Sequence, residues 1–133
     1  MKRILITGGA GFIGSHVAKY LLERYPGYSI IVLDALTYAG SLDNFPESFR
    51  DHPRFRFCYG NIRNTAIVEE LVAEADIVIH SAAETHVPRS LSDTAMFFET
   101  DVLGTQAVVS AVLKRPIERF IHVSSSEVYG TAA

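Results

Sequence analysis

The sequence of 133 residues predicts an α/β fold built on a doubly wound parallel sheet. Apolar runs of strand length alternate with patterns of helical period along the chain, which is typical of successive βαβ units. The runs SIIVLD, DIVIHS and RFIHVS are continuously apolar at their centres, as in strands covered by helices on both faces. Right-handed crossovers between five such strands predict the sheet order 3-2-1-4-5.

Five strands and three main helices are expected. The strands lie at 3–7, 29–34, 54–59, 76–81 and 119–124. The first helix ends near Pro26, and its inward residues at helical spacing are Ile13, Val17, Ala18, Leu21 and Leu22. Thr65 is the expected N-cap of the second helix. That helix should bury Ile67, Val68, Leu71 and Val72.

The third helix should begin at Asp93 or Thr94 and run to about Leu113. It is apolar on more than one side, so something beyond the sheet is expected to cover it. The segment 35–53 is broken by Gly and Pro, and a loop with at most a short helix is expected there.

Composition excludes several classes of function. The net charge of −3, with the twelve Lys and Arg scattered, argues against binding to nucleic acid or an anionic membrane. The apolar stretch after the first residues is too short for a signal peptide, and no window is expected to reach the roughly 18 apolar residues of a membrane span. A single cysteine, Cys58, and the lack of metal-ligand spacing favour a reduced, cytoplasmic setting without a metal.

A glycine-rich loop joins the first strand to the first helix. In ITGGAGFIGS, the spacing GxxGxxG is formed by Gly8, Gly11 and Gly14. Gly8 allows a sharp turn, Gly11 allows a pyrophosphate to approach the backbone, and Gly14 allows the helix to pack closely on the sheet. The helix N-terminus then offers free N–H groups to the phosphates.

An acidic residue, Asp34, ends the second strand twenty positions after Gly14. A carboxylate at this place accepts hydrogen bonds from the hydroxyls of the adenosine ribose and repels a 2′-phosphate. The pattern therefore predicts a Rossmann fold that binds NAD in preference to NADP.

Polar segments follow the later strands, at the edge where such folds bind their ligands. Asn61 could contact the adenine, with Ile62 on the ring, or could equally cap the next helix. The segment SAAETHVPRS contains small residues for close approach to a dinucleotide, followed by Glu84, Thr85, His86 and Arg89. His80 and His122 lie inside apolar strands, where a structural role is favoured.

The chain resembles the amino-terminal part of extended short-chain dehydrogenase/reductases that act on nucleotide sugars, most closely the NDP-sugar (dTDP-glucose) 4,6-dehydratases. The matching segments are ILITGGAGFIGSH, LDALTYAGSLDN, GNIRN, HSAAETHVPRSL, FFETDVLGT and FIHVSSSEVYG. They span essentially the whole chain in the family's order, and LTYAG and AAETHV, which are less general than the glycine loop, point to the dehydratase branch.

The resemblance implies which residues bind ligands. For NAD these are Gly8, Gly11, Phe12, Ile13, Gly14, Asp34, Ala35, Leu36, Thr37, Asn61, Ile62, Ser81, Ala82, Ala83, Thr85 and Thr100. For the nucleotide-sugar substrate they are Thr85, His86, Arg89 and Ser125.

The resemblance also implies the chemistry. Members of this group oxidise the sugar at C4, eliminate water across C5 and C6, and return the hydride to C6. By position, Ser125 would bind the sugar O4, Ser126 stands where the family has an acidic Asp, and Glu127 would remove the C5 proton. Because a serine is a poor general acid near neutral pH, UDP-glucuronate decarboxylase or UDP-sugar 4-epimerase activity stays open as an alternative. Two further departures from the family pattern are Pro88 and Asp101.

The family's catalytic Tyr with a Lys four residues later is not found, since Tyr20, Tyr38 and Tyr129 are followed at that spacing by Arg24, Leu42 and Ala133. We therefore expect residues 1–133 to be an incomplete NAD-binding domain, truncated before the sixth strand and the substrate domain, and inactive alone. A homodimer through the helix around 94–113 is expected for the intact protein. A non-catalytic dinucleotide-binding module is the remaining alternative.

Overall fold

The computed structural model describes residues 1–131 as a five-stranded parallel sheet with helices on both faces. The strands are β1 (Lys2–Thr7), β2 (Tyr28–Asp34), β3 (Phe55–Tyr59), β4 (Ile77–His80) and β5 (Arg119–His122). Their order is β3-β2-β1-β4-β5, and every neighbouring pair is parallel. The predicted Rossmann-like topology is confirmed, with strand ends within two residues of those expected.

Among the described residues, one α-helix follows β1, one follows β3 and three follow β4. They are α1 (Phe12–Arg24), α2 (Thr65–Glu74), α3 (Val87–Ser92), α4 (Thr94–Phe97) and α5 (Thr105–Leu113). Two 3-10 helices, Leu42–Asn44 and Glu47–Phe49, lie in the loop between β2 and β3, where a loop with at most a short helix was expected.

Two apolar clusters form the core, one on each face of the sheet. On one face, Ile4, Ile6 and Val32 pack against Ala18 and Leu22 of α1. The other face lies under α2 and α5, and its buried residues include Leu5, Leu33, Val68, Val72 and Val108. Burial of each such aliphatic side chain contributes roughly 1.5–3 kcal/mol, so β1 and β2, which are buried from both sides, carry most of the core.

Two details of the first two helices differ from expectation. Ile13 is 61% exposed, because it lies in the first turn of α1, beyond the edge of the sheet. Thr65 is the first residue of α2 and not its cap. Asn64 is the N-cap, and its side-chain oxygen accepts from the N–H groups of Ala66 and Ile67.

The long helix after β4 has a change of winding that the sequence did not predict. Asp93 caps it by accepting from the N–H of Met96, and the helix continues from Thr94 to Leu113 with a π-helical segment at Phe98–Gly104. Gly104 faces the core. A Cβ at this position would lie 2.5 Å from Cδ1 of Ile62, so the helix passes this side chain only because residue 104 has none.

By length and composition, Thr94–Leu113 is apolar enough to cross a membrane, which makes our expectation that no window would qualify wrong. Only 22% of the window is buried, through residues such as Ala107, Val108 and Ala111 that pack against the sheet. The expectation that β5 is covered on both faces is also wrong for the described residues. Phe120 packs against the core, whereas Ile121 is 41% exposed at the sheet edge.

Candidate nucleotide-binding cleft

A cleft of about 840 Å³ lies at the carboxyl edge of the sheet. Its walls are the loops that follow all five strands, together with the first turn of α1 and the inner side of the helix after α3. Ligands of doubly wound sheets bind at this edge, where the strand order reverses between β1 and β4. The topology therefore brings together segments that are up to about a hundred residues apart in the chain.

The three glycines of the loop after β1 differ in what a side chain would meet. Gly8 has φ +68, and a Cβ there would lie 2.6 Å from the Cα of Ala82. A Cβ at Gly14 would lie 2.3 Å from the carbonyl oxygen of Gly8. At Gly11 the nearest atom would be 3.5 Å away, so this glycine leaves open space in the cleft.

The same loop begins α1 without a side-chain cap. Gly11 is the N-cap residue with φ −75 and ψ 176, and no side chain accepts from the first turn of the helix. Uncapped N–H groups and the positive end of the helix dipole suit an anion such as a pyrophosphate. The residues present therefore fit a dinucleotide: an open position above Gly11 lies next to a helix N-terminus.

Asp34 is held by backbone donors at the end of β2. Its Oδ2 accepts from the N–H of Ala10 at 2.9 Å, and its Oδ1 accepts from the N–H of Leu36 at 2.8 Å. Leu36 has φ +49, an uncommon conformation for a residue with a side chain, and this turns the chain sharply after the carboxylate. Each carboxylate oxygen keeps a lone pair for a further donor from the cleft.

Asn61 and Ile62 line the cleft after β3. Asn61 Oδ1 accepts from the N–H of Arg63 at 2.9 Å, so the amide shapes the loop and the helix cap falls to Asn64. Ile62 is 5% exposed and belongs to the core cluster, with one side at the cleft.

The loop after β4 contributes small residues and one buried acid. Ser81, Ala82, Ala83 and Thr85 line the cleft. Ser81 Oγ donates to the carbonyl of Thr7 at 2.7 Å, which ties this loop to β1. His86 and Arg89 are not among the lining residues and lie beside Tyr38, with the Arg89 guanidinium 4.9 Å from the centre of that ring.

Glu84 was named in this loop from the sequence, but no binding role was assigned to it. It is 6% exposed and lines the cleft, and its N–H donates to Oδ1 of Asp101 at 2.7 Å. Burial, and next the charge of Asp101, raise the pKa of Glu84. In the sequence, Glu84 lies between two alanines and a run of polar residues. This context does not indicate whether an acidic side chain is buried or exposed.

The segment after β5 reaches the opposite end of the cleft. Ser125 and Glu127 line it, and Ser125 Oγ accepts from the N–H of Glu127 at 3.1 Å to cap the short 3-10 helix Ser126–Tyr129. Ser126 is exposed and is not among the lining residues. Thr100, Ser124 and His122 complete this end.

The two strand histidines differ in environment. His80 is buried, with Nδ1 at 2.6 Å from Thr7 Oγ1 and Nε2 at 2.9 Å from Thr105 Oγ1. Burial, with a smaller effect of His122, lowers the pKa of His80 to about 4, so the ring is neutral and structural. His122 is exposed in the cleft wall, although a structural role was expected for it as for His80. Within residues 1–131, no cluster of three or more His, Cys, Asp or Glu could hold a metal ion.

Comparison with known proteins assigns the class. Residues 4–133 match the NAD dependent epimerase/dehydratase family, and the chain belongs to this family. It is 48% identical over 133 residues to a dTDP-glucose 4,6-dehydratase of Streptomyces antibioticus, covering 96% of this chain and 38% of that protein. It is 49% identical over 127 residues to the low-salt glycan biosynthesis protein Agl12 of Haloferax volcanii, covering 96% and 40%.

Solved structures share the fold. The dTDP-glucose 4,6-dehydratase DesIV of Streptomyces venezuelae, crystallised with NAD, superposes with a TM-score of 0.91 at 42% identity, covering 98% of this chain and 42% of that one. A UDP-glucose 4-epimerase of Thermotoga maritima superposes with a TM-score of 0.85 at 30% identity, covering 98% of this chain and 40% of that one. The chain thus spans about 40% of the length of the curated relatives it matches.

Proposed function

We propose that this chain is the NAD-binding part of a nucleotide-sugar 4,6-dehydratase. The proposal depends on one observation, which is that the same cleft contains all these groups. The glycine loop forms part of its wall, Asp34 lies at one end, and Ser125 and Glu127 lie at the other. Relatives of 42–48% identity over this region are named dTDP-glucose 4,6-dehydratases, which favours that reaction among those of the family.

The residues fit NAD in one orientation. The N–H groups at the start of α1 would bind the pyrophosphate above Gly11, and Asp34 would accept from the adenosine ribose hydroxyls. Asn61 and Ile62 would bind the adenine, while Thr85 and Thr100 lie towards the other half of the cleft. Bound NAD would supply a hydride acceptor and donor for the sugar C4 and C6.

The sugar end is proposed from position. Ser125 would hold the sugar O4, and the Glu127 carboxylate would take the proton from C5. Thr85 would contact the substrate from the β4 loop, with His86 and Arg89 next to the lining residues Val87 and Ser90. Ser126 lies outside this wall and carries only a hydroxyl, so it supplies no acid for loss of water.

The absence of an acidic side chain at Ser126 favours a second candidate function within the same family of enzymes. A decarboxylase or 4-epimerase needs the C4 oxidation and no acid at position 126, and 4-epimerases are among the structural relatives. Substitution of these residues into the matched region of DesIV separates the reactions. Formation of a keto-deoxy sugar from dTDP-glucose supports dehydration, whereas activity only towards UDP-glucuronate or UDP-glucose contradicts it.

The chain by itself is proposed to bind NAD without turnover, because none of its tyrosines is followed by a Lys at the fourth position. The test is calorimetric titration with NAD⁺ and NADP⁺, followed by incubation with NAD⁺ and dTDP-glucose. We expect saturable NAD⁺ binding, much weaker NADP⁺ binding, and no 4-keto product. Absence of NAD⁺ binding by a folded chain would overturn the cofactor assignment, and product formation would overturn the inactive-fragment proposal.

The assembly and location follow the same proposal. An exposed apolar surface on the helix Thr94–Leu113, including Phe98, Val102 and Leu103, would pair with a second copy in the intact enzyme. A nucleotide-sugar enzyme of this composition would act in the cytoplasm. A stable monomer that binds NAD⁺ tightly would instead favour the non-catalytic dinucleotide-binding module.

A further inference from the structure

Glu84 has a side-chain oxygen that lacks a partner. The residue is 6% exposed, and its Oε2 is buried with no hydrogen bond to any described residue. A buried polar atom without a partner destabilises the folded state, and the effect is larger when the group is charged. This oxygen therefore requires either a donor or a proton of its own.

The adjacent functional group is a second carboxyl. Asp101, in the π-helical segment, accepts from the Glu84 N–H at 2.7 Å, and both residues line the cleft. An ionised carboxylate only accepts hydrogen bonds, so neither side chain can satisfy the other while both are ionised. Protonation of Glu84 removes its buried charge and with it the repulsion by Asp101.

The other charged and polar groups around Glu84 only partly oppose this effect. Arg89 of α3 and the hydroxyl of Thr37 after β2 favour the ionised form, and Asp93 at the end of α3 disfavours it. The Arg89 guanidinium lies over the Tyr38 ring. Burial and Asp101 outweigh them, so the pKa of Glu84 is raised, and burial also raises the pKa of Asp101.

We propose that Glu84 and Asp101 are a positioning pair that binds one proton and thereby fixes the loop after β4 to the helix Thr94–Leu113. The proton resides on Glu84, whose carboxyl group is the more deeply buried of the two. Its loss as the pH rises leaves a buried negative charge on Glu84 beside the half-buried charge of Asp101, at the contact between loop and helix. Thr85, the next residue and part of the cleft wall, is then less firmly held.

The direct test is a titration of the side-chain carboxyl carbons by NMR in the ¹³C-labelled chain. We expect Glu84 to titrate above its ordinary value of 4.5. In Asp101→Asn, which keeps the Oδ1 acceptor and adds an amide donor, the pKa of Glu84 should fall. A Glu84 that titrates at or below its ordinary value, or that does not respond to Asp101→Asn, would overturn the proposal.

A second measurement uses Glu84→Gln, whose amide donates at every pH. A raised carboxyl pKa stabilises the fold below about pH 4.5, and that stabilisation is lost as the pH rises through the folded value. Relative to wild type, the variant should therefore gain stability towards neutral pH. The matched control is Glu23→Gln, on the exposed side of α1, which should not change the pH dependence. Equal pH profiles for Glu84→Gln and wild type would contradict the pair.

The functional readout rests on the proposed NAD site. Wild-type affinity for NAD⁺ should weaken severalfold from mildly acidic to mildly alkaline pH, and Glu84→Gln should remove most of this dependence. A chain that does not bind NAD⁺ at any pH would refute the proposed function while the carbon titration still decides the carboxyl pair. If the carboxyl groups titrate as expected but NAD⁺ binding does not depend on pH, the positioning role is contradicted.

Discussion

Gly11 and Gly14 are two glycines of one loop with different physical reasons for lacking a side chain. At Gly14 a Cβ would meet backbone at 2.3 Å, and at Gly11 it would enter the open cleft. The sequence spacing identifies both as glycines of a phosphate loop. Only the structure separates the position needed for folding from the position kept open for a ligand.

Substitution by alanine should separate these roles. Gly11→Ala, at φ −75, should change stability by no more than about 1 kcal/mol, because alanine fits this backbone but is a poorer N-cap than glycine. It should weaken NAD⁺ binding at least tenfold, which corresponds to about 1.4 kcal/mol. Gly14→Ala should lose about 3 kcal/mol of stability because of overpacking. Urea unfolding and calorimetric titration measure the two effects. Unchanged NAD⁺ affinity in folded Gly11→Ala would contradict the proposed binding mode.

Asp34 combines a structural and a proposed ligand-binding role. The carboxylate accepts from Ala10 and Leu36, so it joins the glycine loop to the turn after β2 before any ligand binds. A Cβ on Gly40 would lie 2.8 Å from its Oδ1, so a glycine at 40 leaves room for that oxygen.

Asp34→Asn should weaken NAD⁺ binding and also lower stability, because its amide nitrogen would face one of the two backbone N–H donors. The amide loses the charge and one acceptor, and a hydrogen bond to a charged group contributes roughly 1.5–3 kcal/mol, so NAD⁺ affinity should fall at least tenfold. Because the amide no longer repels a 2′-phosphate, the ratio of NAD⁺ affinity to NADP⁺ affinity should decrease. Paired titrations with both dinucleotides measure this, and Asp51→Asn, an exposed change in the loop between β2 and β3, is the control. An unchanged NAD⁺ to NADP⁺ ratio would refute the role of Asp34.

At the level of elements, α2 shows how one residue decides a helix start. Asn64 and Thr65 are both residues that cap helices, and they are adjacent in sequence. Asn64 has the extended backbone of a cap, with φ −78 and ψ 95, and its carbonyl oxygen accepts from two N–H groups. Capping propensity alone does not distinguish two such neighbours.

The caps can be tested as a matched pair. Asn64→Ala should destabilise the chain by about 1 kcal/mol, because two helix N–H groups lose their acceptor. Thr65→Ala should cost little or nothing, since alanine is favoured inside a helix. Chemical unfolding of both variants measures the difference, and a larger loss in Thr65→Ala would show that the cap is misassigned.

His80 links three elements, because its ring lies between Thr7 of β1 and Thr105 of α5. The pKa of about 4 lies below the ordinary 6.5, so between these values the unfolded chain binds more protons. This contribution to stability is complete above pH 6.5 and is lost as the pH falls towards 4, by up to about 3 kcal/mol.

We therefore expect His80 to stay neutral in NMR titrations down to about pH 5. His80→Gln should reduce the loss of stability on acidification, whereas His16→Gln, on the exposed side of α1, should leave it unchanged. A His80 ring that titrates near 6.5 would contradict the buried network.

At the scale of the whole molecule, the helix Thr94–Leu113 carries an exposed apolar surface. Phe98, Val102 and Leu103 are 55%, 48% and 47% exposed, although the helix packs on the sheet through other residues. Such a surface is typical of a protein interface. We expect dimers in sedimentation velocity at micromolar concentration, and we expect Val102→Glu to shift them to monomers.

The control is Tyr20→Glu on α1, which is also an exposed apolar position. It should leave the dimer intact. Monomeric wild-type chain, or equal dissociation in both variants, would contradict pairing through this helix.

The fold could be predicted because its determinants are local in sequence. Apolar runs mark β1 to β5, and the spacing from the glycine loop to Asp34 locates one end of the cleft. The π-helical segment and the burial of Glu84 could not be predicted, since both depend on packing between α5, α2 and the β4 loop. Ser126 lies next to two lining residues and still faces elsewhere, which a linear motif does not show.

The contact between Gly104 and Ile62 has a consequence for engineering this fold. A methyl group on residue 104 has no room unless the side chain at 62 becomes smaller. The two positions should therefore change together in directed evolution, with Gly104→Ala tolerated beside Ile62→Ala and selected against alone. Because Ile62 also lines the cleft, such a paired exchange would reshape the ligand pocket from a helix position behind it.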